Sequence, residues 1–253
     1  MTTPATTRML VRAQAKGGKF LADDIGGAEV TIRDARTGQW LGGGKAQGTD
    51  SGTLQTTYAA TASLSTIVTP GNPPVVQWLV AGPTTSGLTV DLPLTQPTLL
   101  EVEVHGPIGG LQSAQTVVTR TWAIPGQPIT QGPGFVVELP GLVVQVQQPP
   151  THLEVPSAPA STQFLVNVTM MCGCPIGTGL AWIPSDFTVT ATVERLGSTA
   201  PPVIVHLNPL GAPSIFSAPF AIEAAGFYKA NITAVQKSTG NTGTGTVTFF
   251  TKP

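Results

Sequence analysis

The chain has 253 residues and a formal net charge of −1, from 12 basic and 13 acidic side chains. This length corresponds to one large or two medium domains and is sufficient for a hydrophobic core without disulfide staples. Charged residues make up only 10% of the chain and form no basic run, so nucleic acid and anionic membrane surfaces are excluded as expected partners.

The start of the sequence, MTTPATTRMLVRAQAKGGKF, contains no apolar core of the kind that a signal peptide requires. The longest apolar runs elsewhere have the length of strands and are interrupted by Pro and Gly, so we expect no transmembrane segment and no membrane insertion. These features predict a protein that stays inside the cell, belongs to a particle, or is the mature form left after processing.

Short β-branched runs bounded by Gly or Pro recur along the chain and predict an all-β protein. Their spacing of about 8–12 residues is the rhythm of β-sandwiches and barrels. Helical periodicity is almost absent, so we expect mostly antiparallel sheets. The predicted strands, in chain order, are RMLVRAQA, GAEVTIRDA, TLLEVEVHG, AQTVVTRTWAI, GFVVELPGLVVQVQ, TQFLVNVTM, DFTVTATVERL, PPVIVHLNP, FYKANITAV and TGTVTFFT.

Residues 26–54, GGAEVTIRDARTGQWLGGGKAQGTDSGTL, alternate short strands with two turns. Gly38 permits the first turn, and Asp50 can cap the second turn, which Gly52 closes. In this order of strands and turns the segment resembles the small β-sandwich of transthyretin-like and carboxypeptidase-regulatory-like domains. The resemblance implies a non-catalytic module attached to something else.

No charged residue lies between Asp50 and Asp91, in a stretch rich in Thr, Ser, Ala, Val and Pro. Within it, residues 58–85 depart from the transthyretin-like pattern and are interpreted as an insertion. Such a neutral surface is either a β-surface covered by hydroxyl groups or a surface buried in an oligomer or larger assembly. A net charge near zero favours association.

The Pro-rich segment 147–162, QQPPTHLEVPSAPAST, is typical of an extended connector. Beyond it, Tyr228 precedes an alternating strand and resembles the tyrosine corner that opens the penultimate strand of immunoglobulin-like sandwiches. We therefore predict two β-sandwich domains, an N-terminal transthyretin-like one with an insertion (1–148) and a C-terminal immunoglobulin-like one (161–253). A Pro-rich linker (149–160) would join them.

Motifs of catalysis and of cofactor binding are missing from the sequence. There is no GxSxG, P-loop, dinucleotide fingerprint, HExxH or EF-hand loop. Glu101 and Glu103 project from one face of a predicted strand, which we interpret as a solvated face opposite buried apolar residues. We predict that the protein is not an enzyme and that Cu(I) is the one cofactor left open.

Both cysteines and two of the four methionines lie in VNVTMMCGCPIG, residues 166–177. Because alternate residues of a strand share a face, Met170, Cys172 and Cys174 are expected together on an inward face, with Met171 on the other. Three interpretations stay open. The sulfur side chains pack in the core, or these three residues bind Cu(I), which soft thiolate and thioether ligands select. In the third, the two cysteines form a redox pair or a disulfide, helped by a bend at the intervening glycine.

The leading functional hypothesis is a non-catalytic structural or protein-interaction protein, belonging to a larger assembly or surface structure. Its expected partners are other proteins or further copies of itself. One alternative is a Cu(I) carrier or accessory protein that uses the MMCGC cluster. The other alternative is a non-catalytic accessory subunit of an enzyme complex.

Overall fold

A computed structural model of the chain describes residues 5–55, 63–69, 75–110, 112–156 and 158–251. Within these residues the protein is all-β, as predicted, with two short 3₁₀ helices at Asp23–Ile25 and Pro184–Asp186. None of the helices in the described part of the chain has the length and apolar character to cross a membrane. The strands are β1 (Ala5–Ala15), β2 (Ala28–Asp34), β3 (Trp40–Ala46), β4 (Thr53–Gln55), β5 (Ser63–Thr69), β6 (Val75–Ala81), β7 (Leu88–Leu94), β8 (Thr98–Gly106), β9 (Gln115–Ala123), β10 (Phe135–Leu139), β11 (Leu142–Gln148), β12 (Leu153–Val155), β13 (Ala160–Met170), β14 (Phe187–Arg195), β15 (Val203–Pro209), β16 (Ile215–Ile222), β17 (Gly226–Gln236) and β18 (Thr242–Thr251).

The chain divides into two compact units. Unit 1 comprises Met1–Pro140 with Met171–Gly173, and unit 2 comprises Gly141–Met170 with Cys174–Pro253. The division differs from the predicted boundary at residue 148, because β11 pairs with β13 and therefore belongs to unit 2. The predicted linker, 149–160, also differs from the structure, since it contains β12, which pairs in parallel with β18.

The described strands of unit 1 form three sheets, with strand orders β10-β1-β7, β3-β2-β8-β9 and β4-β6-β5. Strand alternation explains its core, since β1 buries Met9, Val11 and Ala13 on one face, while β8 buries alternate residues from Thr98 to Gly106. On β8 the intervening residues are more exposed, as strand alternation requires, whereas β1 also buries Arg12 and Gln14 on its other face.

The turns predicted for residues 26–54 are present. Gly38 has a φ of 73°, in the left-handed region that favours glycine. The Asp50 carboxylate accepts a hydrogen bond from the Gly52 amide, with 2.9 Å between N and Oδ1, which confirms the predicted cap. The predicted insertion, 58–85, begins outside the described residues, and its described part includes β5 and β6, which pair with each other. The transthyretin-like assignment stays a prediction.

Unit 2 contains an eight-stranded sheet with the order β11-β13-β16-β15-β14-β17-β18-β12. β15 links its two halves, since Val203–Leu207 pair with β14, whereas Asn208 and Pro209 pair with β16. Numbered as an immunoglobulin domain, β11-β13-β16-β15 follow the order ABED, and β14-β17-β18 follow CFG. Unit 2 therefore has immunoglobulin-like topology, as predicted.

Aromatic rings fill the core of unit 2. Tyr228 stacks on Phe249 with ring centroids 5.3 Å apart and ring planes inclined by 6°. Phe164 and Phe220 pack around this pair. The Tyr228 hydroxyl donates a hydrogen bond to the Ala224 carbonyl oxygen at 2.5 Å. This bond, at the start of the penultimate strand β17, confirms the predicted tyrosine corner.

Candidate functional site

The sulfur-rich segment forms a tight turn at the end of β13. The strand ends at Met170, whose amide donates to the Cys174 carbonyl oxygen at 3.1 Å, and Thr169 forms a bridge with Pro175. Gly173, with a φ of 73°, turns the chain back. The two cysteines of the chain, Cys172 and Cys174, are joined in a disulfide.

This geometry corrects the predicted strand face. Val166, Val168 and Met170 alternate inward as expected, but Cys172 and Cys174 lie beyond the end of the strand. Met171, expected on the opposite face, is also fully buried, because the chain turns instead of continuing as a strand. The Cys172 sulfur accepts a hydrogen bond from the Lys19 amide, with 3.4 Å between N and Sγ.

The disulfide bears directly on the metal hypothesis. Both cysteine sulfurs are bonded to each other, so neither provides the thiolate that a soft metal needs. A Cu(I) site at Met170, Cys172 and Cys174 is therefore a prediction for the reduced chain. Among the described residues, no group of three or more His, Cys, Asp and Glu side chains could hold a metal ion.

The outer face of the sheet β3-β2-β8-β9 carries an ordered row of charged and aromatic side chains. Strand register places Trp40 beside Arg33, Arg33 beside Glu101, and Glu101 beside Arg120. The Arg120 guanidinium binds the Glu101 carboxylate, with 2.7 Å between Nη2 and Oε2. The sequence interpretation of the Glu101–Glu103 face as solvated agrees with this arrangement, since the valines and leucine between and beside these residues are buried.

Trp122 stands at one end of this face, beside a pocket of about 310 Å³. It is opposite Leu99 on β8, and 64% of its surface is exposed. The pocket wall combines this indole ring with a carboxylate, a guanidinium and an amide. The lining residues are Asp34, Arg36, Gln96, Pro97, Thr98, Leu99 and Trp122.

Backbone hydrogen bonds stabilise the ionised form of the Asp34 side chain. Its Oδ1 accepts from the amides of Arg36 at 2.8 Å and Thr37 at 3.1 Å. The Arg36 amide bond is the main cause that lowers the pKa of Asp34 below its ordinary value. The carboxylate is therefore ionised at neutral pH and acts only as a hydrogen-bond acceptor.

A second feature is the edge of β15 in unit 2. Val203–Leu207 pair with β14 on one side, and no strand in the described part of the chain pairs with the other side. Val203 and Ile204 are 52% and 64% exposed. The sequence contains no Asp, Glu, Lys or Arg between Arg195 and Glu223. This edge is largely apolar, with His206 as its one polar side chain and no Asp, Glu, Lys or Arg, whereas exposed edges usually carry charges that prevent pairing.

A pocket of about 490 Å³ lies alongside this edge, lined mostly by apolar residues together with Arg195 and Glu223. Its walls include Pro201 and Val203 on one side and Pro219 and Phe220 on the other. Pro219 has no backbone N–H, so β16 cannot offer an unbroken row of donors to a new strand. Of the two strands that flank this pocket, β15 is therefore the one with the more complete row of backbone groups for an additional strand.

Sequence reasoning identified neither the Trp122 pocket nor the β15 edge. The pocket combines residues from three segments that only the pairing of β2, β8 and β9 brings together. The edge had a local signal, the charge-free stretch from 196 to 222. The sequence interpretation noted instead the longer uncharged stretch between Asp50 and Asp91.

Comparisons with known proteins give no family assignment. No protein-family model matches the chain, and no curated protein matches it. Among solved structures, an engineered protein is similar at 20% identity and a TM-score of 0.33, over 52% of this chain and 24% of that one. Fibronectin(III)-like modules of Clostridium thermocellum CbhA are similar at 8% identity and a TM-score of 0.31, over 78% of this chain and 82% of that one. A Corynebacterium diphtheriae protein described as a putative membrane anchored protein is similar at 11% identity and a TM-score of 0.30, over 99% of this chain and 46% of that one. The chain thus spans about a quarter of the first structure and about half of the third.

Proposed function

We propose that the protein is a non-catalytic structural protein that acts by protein–protein interaction within a larger assembly. A second copy of the chain is the proposed partner, and it adds a strand to the free edge of β15. The observation that carries the proposal is the exposed, uncharged edge Val203–Leu207. Unpaired N–H and C=O groups along such an edge are a template for strand addition.

The sequence of β15 suits pairing with itself. In an antiparallel pair centred on Val205, Val203 faces Leu207 of the second copy and Ile204 faces His206. The first pair is apolar, the second places an isoleucine opposite a histidine, and neither brings two formally charged residues together. Prolines at 202 and 209 flank the segment and confine the paired strand to the residues between them. A two-fold axis relates such copies, which is the commonest symmetry of homo-oligomers.

The test measures the molar mass of the full chain by light scattering coupled to size-exclusion chromatography. The wild type is expected to be larger than a monomer, and Ile204→Lys is expected to shift it to monomer, because a lysine on an edge opposes strand addition. Leu210→Lys is the matched control, since Leu210 is 54% exposed but lies just outside β15. It is expected to behave as wild type. A monomeric wild type, or equal effects of the two lysines, contradicts the proposal.

The Cu(I) function stays a prediction for the reduced chain, with Met170, Cys172 and Cys174 as ligands. Native mass spectrometry with Cu(I) and a reductant tests it, using Cys172→Ser/Cys174→Ser as the control. One Cu(I) per wild-type chain and none on the double variant supports it, and equal binding by both rejects it. The role of accessory subunit in an enzyme complex also stays a prediction.

A further inference from the structure

We propose that the pocket beside Trp122 in unit 1 binds an uncharged pyranose sugar, as a monosaccharide or disaccharide unit. The proposal is independent of the strand addition proposed for β15 in unit 2. It rests on the exposed indole ring of Trp122 and on the different polar groups that share its pocket.

The pocket is built on the ordered end of a sheet. Asp34 ends β2, and the next residue, Ala35, donates its amide to the Leu99 carbonyl oxygen at 2.8 Å. Leu99 in turn pairs with Trp122 across β8 and β9. Thr98, at the start of β8, is buried, and its hydroxyl donates to the Gln96 carbonyl oxygen at 3.0 Å. The backbone that carries the polar groups is therefore tied to the backbone that carries the indole.

The polar groups of the pocket match the hydroxyl groups of a sugar. Each hydroxyl both donates and accepts hydrogen bonds, so a sugar needs acceptors and donors in one place. The Asp34 carboxylate accepts, the Arg36 guanidinium donates, and the Gln96 amide does both. A pocket that offered only donors or only acceptors would leave some hydrogen bonds of the sugar hydroxyls unmade, which costs free energy of binding.

The indole ring of Trp122 provides a surface for the apolar face of the sugar. One face of a pyranose ring presents C–H groups, which pack against the negative face of an aromatic ring. Trp122 is 64% exposed and lines the pocket, so its ring is accessible to a ligand there. The pocket volume of about 310 Å³ lies at the lower end of the range for ligand pockets, which suits one or two sugar rings.

Charge favours a neutral ligand over an anion. The pocket contains one carboxylate and one guanidinium, and the ionised Asp34 would repel a phosphate or carboxylate group brought beside Arg36. A nucleobase could also stack on Trp122, since every base has an aromatic face. Base stacking would not require the hydroxyl-matching set of Asp34, Arg36 and Gln96.

Trp40 provides a matched control. It lies on the opposite edge strand of the same sheet and is 60% exposed, close to the value for Trp122. Trp40 does not line the pocket. A nonspecific attraction of exposed indoles for sugars would therefore involve both residues, whereas the proposed site involves Trp122 alone.

The experiment uses the full chain and saturation-transfer NMR with cellobiose, maltose, lactose and N,N′-diacetylchitobiose, each at about 10 mM, with uridine as the nucleobase probe. Dissociation constants for any bound sugar are then measured by titration calorimetry for wild type, Trp122→Ala, Trp122→Phe, Arg36→Ala and Trp40→Ala. Far-ultraviolet circular dichroism verifies that each variant is folded.

We expect at least one disaccharide to bind wild type, with about tenfold weaker binding by Trp122→Ala, weaker binding by Arg36→Ala, and wild-type binding by Trp40→Ala. If Trp122→Ala fails to fold, Trp122→Phe decides, since it keeps an aromatic face and is expected to retain part of the affinity. Failure of every disaccharide to bind overturns the proposal. Equal losses from Trp40→Ala and Trp122→Ala, or binding of uridine alone, overturn it as well.

Discussion

The hydroxyl of Tyr228 reaches back across the start of β17 and donates a hydrogen bond to the carbonyl oxygen of Ala224, four residues earlier. The Tyr228 ring is buried and stacks on Phe249. One side chain thus joins the core of unit 2 to the chain that enters its penultimate strand. Its polar end is satisfied by this bond, as buried tyrosines usually require.

Replacement of Tyr228 by Phe is expected to destabilise the protein by about 1 kcal/mol, because the ring stays in the core while the hydrogen bond is lost. Urea unfolding followed by circular dichroism measures the change. The control is Ser198→Ala, which removes the exposed hydrogen bond that the Ala200 amide donates to the Ser198 hydroxyl oxygen, and it is expected to change stability by less than about 0.5 kcal/mol. Equal stability of Tyr228→Phe and wild type contradicts the prediction.

Features that depend on neighbouring residues could be predicted from the sequence. Alternation identified β1, β2, β8, β9, β13, β14, β15, β17 and β18, and it marked as one run the segment that forms β10 and β11, but it did not identify β4 to β7, β12 or β16. The short spacings around Gly38, Asp50 and Tyr228 identified two turns and the tyrosine corner. Each of these structures is decided within a few residues, where local sterics and hydrogen bonding dominate. Tertiary contacts then stabilise what the local sequence already favours.

Features that depend on which strands pair with each other could not be predicted from the sequence. The runs FVVEL and LVVQV on either side of Pro140-Gly141 look alike, yet β10 pairs with β1 in unit 1 and β11 pairs with β13 in unit 2. The alternation that places Met170 inward would also continue through Cys174, and only the turn at Gly173 ends it. The local sequence does not show which strand each of these segments pairs with.

The disulfide is expected to stabilise the protein only modestly. Cys172 and Cys174 are separated by one residue, so the bond closes a very short loop. Loop-closure entropy for three residues corresponds to about 1.6 kcal/mol at 25 °C. Urea unfolding of wild type with and without a thiol-free reductant should therefore differ by about this amount. Cys172→Ala/Cys174→Ala should show no response to the reductant.

Two outcomes contradict the disulfide prediction. One is an unfolding free energy of wild type that is the same with and without reductant. The other is a chain that releases titratable thiols when it is denatured without reductant, because that would show that the two cysteines were not bonded.

Acid pH is expected to remove the stabilisation that the Arg8–Asp91 ion pair of unit 1 provides to the folded protein. Arg8 Nε lies 2.9 Å from Asp91 Oδ1, and this hydrogen bond is the main cause that lowers the pKa of Asp91 below its ordinary value of 3.8. A carboxylate with a lowered pKa in the folded state stabilises the protein fully above the unfolded-state pKa. The contribution is lost as the pH falls through the lower, folded-state pKa.

The measurement is the thermal unfolding midpoint of wild type and Asp91→Asn from neutral pH to below about pH 3. The difference between the two proteins should be largest at neutral pH and shrink as acid protonates Asp91. Both partners are exposed, so the difference should also shrink in about 1 M salt, which screens surface charges. A difference that grows toward acid pH contradicts the assignment.

Two glycines with left-handed backbones should respond differently to alanine. Gly38 has a φ of 73° and Gly52 a φ of 86°, so alanine meets a backbone penalty of about 1 kcal/mol at either position. A Cβ at Gly38 would meet nothing within 4 Å, whereas one at Gly52 would lie 2.8 Å from Leu79 Cδ1. It would also lie 3.1 Å from Phe20 Cδ2.

Leu79 and Phe20 are both fully buried and pack in one core cluster, so neither can move aside freely. Overpacking of this kind costs a further 1–3 kcal/mol, roughly. We therefore expect Gly52→Ala to lower the free energy of unfolding by about 3 kcal/mol and Gly38→Ala by about 1 kcal/mol, measured by urea unfolding. Because the two variants share the backbone penalty, the difference between them isolates the contact with the core. Equal losses would show that the core yields to the extra methyl group.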